Sequence, residues 1–144
     1  MKYSLDTNII ISHFKADKFS ADTDRFFAWV KNSGHKIYIA GIVYAELYTG
    51  VYLSQNPALE GKQIERFLAV NDIEVEHISS KIAKRAGELY AKHLLKNKKN
   101  DFKRILPDFV IGAHAEQYSD ALVTWNPSDY DINIAVKTPV EVME

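Results

Sequence analysis

The chain has no cysteine among its 144 residues. Disulfides and thiolate metal sites are therefore excluded, which fits a reducing cytoplasm. It also lacks a long apolar run: its longest uninterrupted ones fall far short of the ~20 residues that span a bilayer. The opening Met1-Lys2-Tyr3-Ser4-Leu5-Asp6 puts charge where a signal peptide needs apolar residues. A cytoplasmic protein with no membrane attachment is expected. Neither sign of charge dominates: 18 Lys and Arg stand against 19 Asp and Glu, a net charge of −1. The chain as a whole is thus not a general polyanion binder. No internal repeat, low-complexity tract or linker divides it. What remains is an ordinary globular composition, 47% hydrophobic and 26% charged. The length suits one domain, spanning 1–144, with a sizeable core.

Strand and helix patterns alternate. Lys2–Leu5 reads as a strand ending at Asp6, and Asp6-Thr7-Asn8 has turn and N-cap chemistry. Helical stretches follow over about 9–14 and 22–32, the second with Phe26, Phe27 and Val30 on its apolar face. Ile37–Ala40 is the second strand, followed directly by a helix carrying Glu46, and Asn56-Pro57 turns into a helix over 58–70. Ile73–Val75 is a short strand, and Ser79 can cap a long helix reaching Leu95. Pro107 opens a helix to about Tyr118, Ala121–Thr124 and Ile134–Val136 are strands, and a short tail follows. This alternation predicts an α/β fold, a three-layer sandwich around a mostly parallel sheet. Ligands in such sheets bind outside the carboxyl ends of the strands. Asp6 and Thr124-Trp125-Asn126 fall at such ends.

Glu46 lies in a segment, 40–53, that is apolar nearly all round and reads as a buried helix. A buried carboxylate is costly unless it is paired or binds metal. Asp6 and Asp108 are the other acids in comparably apolar settings. Each has a plain structural explanation. Asp6 suits a turn or a helix cap, Asp108 a first helical turn, and Glu46 an ion pair with a Lys or Arg from elsewhere. Taken together, three carboxylates facing one point form a hard oxygen site suited to Mg²⁺ or Mn²⁺. Asp108 shares a face with the small residues Gly112 and Ala115, and Glu46 has Thr49 and Gly50 beside it. Both helices thus leave room for a ligand.

Lys96, Lys98, Lys99, Lys103 and Arg104 crowd the stretch before Asp108. Such a run is either a solvated helix end or a basic rim for a polyanion. The five histidines, His13, His35, His77, His93 and His114, have no close metal-ligand spacing. His114 points away from Asp108 by helical angle. Tyr44, Tyr48 and Tyr52 make one aromatic stripe at i, i+4 and i+8, which predicts a buried or dimer-facing surface.

At these residues the chain resembles the PIN-domain family of metal-dependent ribonucleases. The match runs through Leu5-Asp6-Thr7-Asn8 and Ala45-Glu46-Leu47, then Asp108-Phe109-Val110-Ile111-Gly112-Ala113-His114-Ala115. It ends at Leu122-Val123-Thr124-Trp125-Asn126 and Asp129-Tyr130. In length the chain is most similar to VapC-type toxins, the nuclease half of toxin–antitoxin pairs. The resemblance implies a flavodoxin-like fold and an acidic triad of Asp6, Glu46 and Asp108 around Mg²⁺ or Mn²⁺. It implies supporting roles for Asn8 near the first acid and Thr124 beneath the site. It further implies RNA cleavage leaving 5′-phosphate and 3′-hydroxyl ends, homodimers, and an antitoxin peptide over the acidic groove. The family often has a fourth acid after the Thr-x dipeptide, where this chain has Asn126. Asp129, three residues on, is the candidate replacement, and Lys98, Lys99, Lys103 and Arg104 are weak candidates for RNA contacts. The competing readings are a PIN nuclease of RNA processing without an antitoxin, and a degenerate module that binds RNA or protein. A haloacid-dehalogenase-like phosphatase would want an acid where Asn8 stands.

Overall fold

The computed structural model describes residues 1–96 and 105–144. Strands β1 (Lys2–Leu5), β2 (Lys36–Ala40), β3 (Ile73–Glu76), β4 (Ala121–Val123) and β5 (Ala135–Lys137) form one sheet. All pairings are parallel, and the order is β3-β2-β1-β4-β5. The chain first builds outward from β1 through β2 to β3, then returns to lay β4 on the free edge of β1. The order therefore reverses between β1 and β4, and the carboxyl ends of those two strands flank the crevice such a switch point creates. The Asp6 N–H donates to the Val123 carbonyl at 3.0 Å, closing the two ends on each other.

The helices are α1 (Thr7–Lys15), α2 (Ser20–Ser33), α3 (Gly41–Leu53), α4 (Pro57–Val70), α5 (Ser80–Lys96), α6 (Leu106–Tyr118) and α7 (Pro139–Met143). Side-chain alternation along β1 sorts them into layers. Tyr3 packs its ring against Phe26 and Trp29 of α2, and α2 packs on α1 and α7. Ser4 points the other way and meets the Ser119 hydroxyl at the end of α6. On that face α6 lies across β1, β2 and β4, and α5 covers α6. The result is the expected three-layer α/β/α sandwich. The main core joins Leu5, Ile9, Ile10, Phe26, Ile39 and Leu122, and a second cluster of Ile82, Ala86, Phe109 and Ala113 joins α5 to α6.

Three local expectations change. Helix α1 starts at Thr7, two residues earlier than the apolar pattern suggests, because Asp6 takes the cap position and accepts from the Thr7 N–H. The tail forms α7, with Thr138 and Glu141 in a reciprocal capping box. Helix α3 is not buried all round: only Val43, Leu47 and Val51 are buried, while Tyr52 and Leu53 are 73% and 82% exposed. One stripe at i, i+4 and i+8 faces the core, and the rest lies at the rim. The tyrosine stripe is correspondingly not buried. Tyr44 and Tyr48 are half-buried and donate to Glu65 of α4, and Tyr52 stands in solvent. Burial, then the Glu65 bond, push the Tyr44 hydroxyl well above its ordinary pKa.

Candidate active site

Asp6 leaves β1 in extended conformation (φ −71°, ψ 154°) and caps α1. Its Oδ1 accepts the Thr7 N–H at 2.7 Å. Its Oδ2 accepts the Thr124 hydroxyl at 2.8 Å and the Tyr130 hydroxyl at 2.9 Å, with the Asn8 carboxamide N–H at a longer 3.4 Å. Thr124, wholly buried at the end of β4, also accepts from Asn8 Nδ2 at 3.2 Å and from the Asn126 N–H at 3.1 Å. Asn8 Oδ1 in turn accepts the Trp125 N–H at 3.2 Å. The two strand ends are thus bound together by side chains as well as backbone.

Glu46 arrives from α3. Its Oε1 accepts the hydroxyl of Thr7, a buried residue, at 2.9 Å. The residue as a whole is exposed, contrary to the buried setting its sequence suggests. Its carboxyl end nonetheless sits where solvent is partly displaced, as the bond to Thr7 requires. Desolvation, then the charges of Asp6 and Asp108, raise its pKa against the pull of Thr7. Asp6 is also raised: burial outweighs the bonds from Thr124, Tyr130 and Thr7, and Asp108 adds to the rise. Asp108 enters from the first turn of α6, where its Oδ2 accepts the Ile105 N–H at 3.1 Å. The three acids therefore come from three separate elements, and the charge of Asp108 acts on both Asp6 and Glu46. The helix-terminal roles of Asp6 and Asp108 are real, and they coexist with this convergence.

No described Lys or Arg forms an ion pair with any of the three. Among the described residues, no three acids or histidines are gathered tightly enough to grip an ion on their own. The donor set is nevertheless hard oxygen, and among the described residues it has no ion-paired cation. It fits a cation that keeps much of its water, as Mg²⁺ does, better than a stripped one.

The other candidates are placed as follows. Asn8 and Thr124 support Asp6 directly. Asn126 and Asp129 are exposed, on a single 3₁₀ turn at Pro127–Asp129. Among the described residues, no hydrogen bond joins their side chains to the three acids. Lys98, Lys99, Lys103 and Arg104 lie outside the described residues. His114 is fully buried against Tyr118, away from Asp108 as its helical angle predicts. Burial, then the nearby His77, depress its pKa to about 4. The Glu76 backbone pulls weakly the other way, but neither ring nitrogen has a hydrogen bond of good geometry, so burial decides the neutral state.

Sequence reasoning assigned no role to Thr7 or Tyr130, although both lie inside the quoted motifs. It also left the face beside Gly112 open for a ligand. In the structure the chain fills part of that face, since a Cβ at Gly112 would lie 3.1 Å from Ile132 Cγ2 and 3.6 Å from Tyr130 Cδ1, while Asp108 and Gly112 still line an open cavity. What stays open near Asp108 is a cavity of about 120 Å³ bounded by Leu89, Lys92, Phe109, Tyr130 and Ile132.

The chain is similar to several solved structures. It matches a chain of VapBC2 from Rickettsia felis, bound to a promoter DNA fragment, at 26% identity and a TM-score of 0.77, covering 96% of this chain and 98% of that one. It matches VapBC-1 from nontypeable Haemophilus influenzae at 24% identity and a TM-score of 0.72, covering 97% and 99%. DNA-bound VapBC from Salmonella typhimurium follows at 21% and 0.74, covering 96% and 98%; these last two speak to the fold alone. No curated protein gives a significant match. The sequence profile of the PIN domain matches residues 3–133. With that span of sequence and this parallel sheet, the chain belongs to the PIN-domain family.

Proposed function

We propose that the protein is a divalent-metal-dependent endoribonuclease that hydrolyses RNA phosphodiester bonds, acting as a VapC-like toxin restrained by an antitoxin protein. One observation carries the reading. Burial raises Asp6 and Glu46, the charge of Asp108 adds to the rise in both, and no described Lys or Arg forms an ion pair with any of the three acids. Membership of the PIN family supports nuclease chemistry, and likeness to VapBC2 at 26% identity supports the antitoxin partner. No described helix is long and apolar enough to cross a membrane.

In this reading Asp6, Asp108 and Glu46 would hold Mg²⁺ or Mn²⁺. Bound there, the ion would supply Lewis acidity, polarising the phosphate and lowering the pKa of water. The residues themselves divide the remaining work. Thr124, Asn8 and Tyr130 fix the Asp6 carboxylate. Thr7 holds one oxygen of Glu46 and leaves the other to orient an attacking water. The raised proton affinity of Glu46 suits it to take a proton from that water. Asn126 and Asp129 serve as secondary candidates at the rim, and Lys98, Lys99, Lys103 and Arg104 as a basic edge for RNA. A single domain over 1–144, acting as a homodimer, completes the reading.

The test is cleavage of a mixed RNA pool with Mn²⁺ or with EDTA, comparing wild type with Asp108→Asn. Metal-dependent cutting, lost in the variant, is the expected result. Cutting that survives in the variant would refute the assignment of the site. A second reading, a non-catalytic RNA-binding module, is favoured by the loose spacing of the acids. It requires RNA binding that is indifferent to EDTA and to Asp108→Asn.

A further inference from the structure

We infer that Tyr130 is a positioning residue for Asp6: its hydroxyl commits one carboxylate oxygen to the protein and leaves the other to face the reaction. The inference rests on the nuclease reading above. A carboxylate offers about four lone-pair sites, two on each oxygen. On Oδ2, Thr124 at 2.8 Å and Tyr130 at 2.9 Å take both, and Asn8 at 3.4 Å adds little. On Oδ1, the Thr7 N–H takes one. One Oδ1 lone pair remains that no described protein donor takes. Asp6 is therefore arranged to engage a ligand through a single oxygen.

The proton directions are well determined. Thr124 Oγ1 accepts from both Asn8 and Asn126, so its own hydrogen goes to Asp6. Thr124, Asn8 and Thr7 belong to β4's end and to α1, where regular structure fixes them. Tyr130 comes from a loop and is held by packing instead. Its ring lies against Gly112 on α6, and its N–H bonds the Pro127 carbonyl at 3.2 Å. Three residues on, the Asn133 N–H bonds Glu116 Oε1 at 3.1 Å. Glu116 is itself gripped by Arg85 through Nε at 2.9 Å and Nη2 at 3.1 Å. Glycine at 112 and the Arg85–Glu116 clamp thus seat a hydroxyl that reaches Asp6 across 124 residues of sequence.

Tyr130→Phe keeps the ring and removes the hydroxyl. Steady-state cleavage should show kcat reduced about tenfold, the scale of one hydrogen bond to a charged group. KM for RNA should stay within about twofold, since the ring packing and the outer surface are unchanged. Melting curves with rising Mn²⁺ should place the half-saturating concentration severalfold higher, while the metal-free melting temperature falls by only about 3–4 °C, the scale of one lost hydrogen bond. Equal kcat and equal Mn²⁺ response in the two proteins would overturn the inference. Tighter Mn²⁺ binding with faster cutting would also overturn it, by making the hydroxyl a competitor. If wild type does not cut RNA, the nuclease reading fails by itself, and the Mn²⁺ melts decide Tyr130. A weaker response in Tyr130→Phe sustains it, whereas identical responses, or none in either protein, overturn it.

Discussion

Replacing Asp6 by Asn asks whether this side chain is present for its shape or for its charge. As a helix cap Asn is equivalent to Asp, so the 2.7 Å bond from the Thr7 N–H survives. On the other side the new NH₂ group meets two hydroxyls. Tyr130 can turn and accept, but Thr124 already accepts from Asn8 and Asn126, so about one hydrogen bond, ~1 kcal/mol, is lost. The charge acts in the opposite sense. The folded pKa of Asp6 is raised above the ordinary 3.8, by burial first and by Asp108 last. The folded state then holds the proton more tightly, and stability falls as pH rises from the unfolded pKa through the folded one. Above the folded pKa the full penalty is present in wild type and absent in the variant. The two effects oppose each other, and the metal-free variant should match wild type within about 1 kcal/mol, or roughly 3–4 °C in Tm. Metal separates the proteins. At about a hundredfold excess over Kd, a ligand of the folded state adds ~2.7 kcal/mol, about 10 °C for wild type, and the variant should keep little of it. Thermal melts near neutral pH, in EDTA and in Mn²⁺, measure both quantities. A metal-free loss beyond about 3 kcal/mol would show that the Asp6 carboxylate itself stabilises the fold, and an undiminished response to Mn²⁺ would show that it holds no metal; either result refutes the reasoning.

Two further substitutions probe the scaffold. Glu116→Gln should cost about 2 kcal/mol at neutral pH in urea unfolding, since it weakens charge-assisted bonds from Arg85 and Asn133. Burial raises the Glu116 pKa, but Arg85 and the Asn133 N–H bring it below the ordinary 4.5 overall. Its contribution is therefore complete above the unfolded value and lost as pH falls through the folded one. The gap between wild type and Glu116→Gln should close in acid; a gap that is constant with pH would contradict this assignment. Gly112→Ala gains about 1 kcal/mol of helix propensity and meets Ile132 at 3.1 Å, a crowding that costs a similar amount or more. Stability should change little, while RNA cleavage falls because the loop carrying Tyr130 is pushed off α6. A wild-type cleavage rate would mean that the loop yields without moving the hydroxyl.

The strands and most helices were legible because burial imposes periods of two and 3.6 on neighbouring residues, and those periods survive in a single sequence. The ends of β1 and β4 could be placed for the same reason, and with them Asp6 and Thr124. Periodicity fails for α3, since Tyr44, Tyr48 and Tyr52 count as apolar while their hydroxyls reach for Glu65 or solvent. Glu46 was singled out on a premise that does not hold. The residue is exposed, and its perturbed pKa comes from the surroundings of its carboxyl oxygens: solvent displaced around them and the acids nearby. Tyr130 was beyond reach, because its bond to Asp6 depends on a loop seated by Gly112 and Glu116, and no local pattern encodes that seating.

Under the proposed function, Asp6 and Asp108 need no choice between helix cap and functional acid, for a simple reason. A carboxylate has two oxygens. Asp6 caps α1 with Oδ1 and answers Thr124 and Tyr130 with Oδ2. Asp108 spends Oδ2 on the Ile105 N–H while its charge still reaches Asp6 and Glu46. Capping restrains each side chain, and restraint is what a site needs if repelling acids are to stay near one another. The local explanation of each acid is therefore part of how the shared one becomes affordable in free energy.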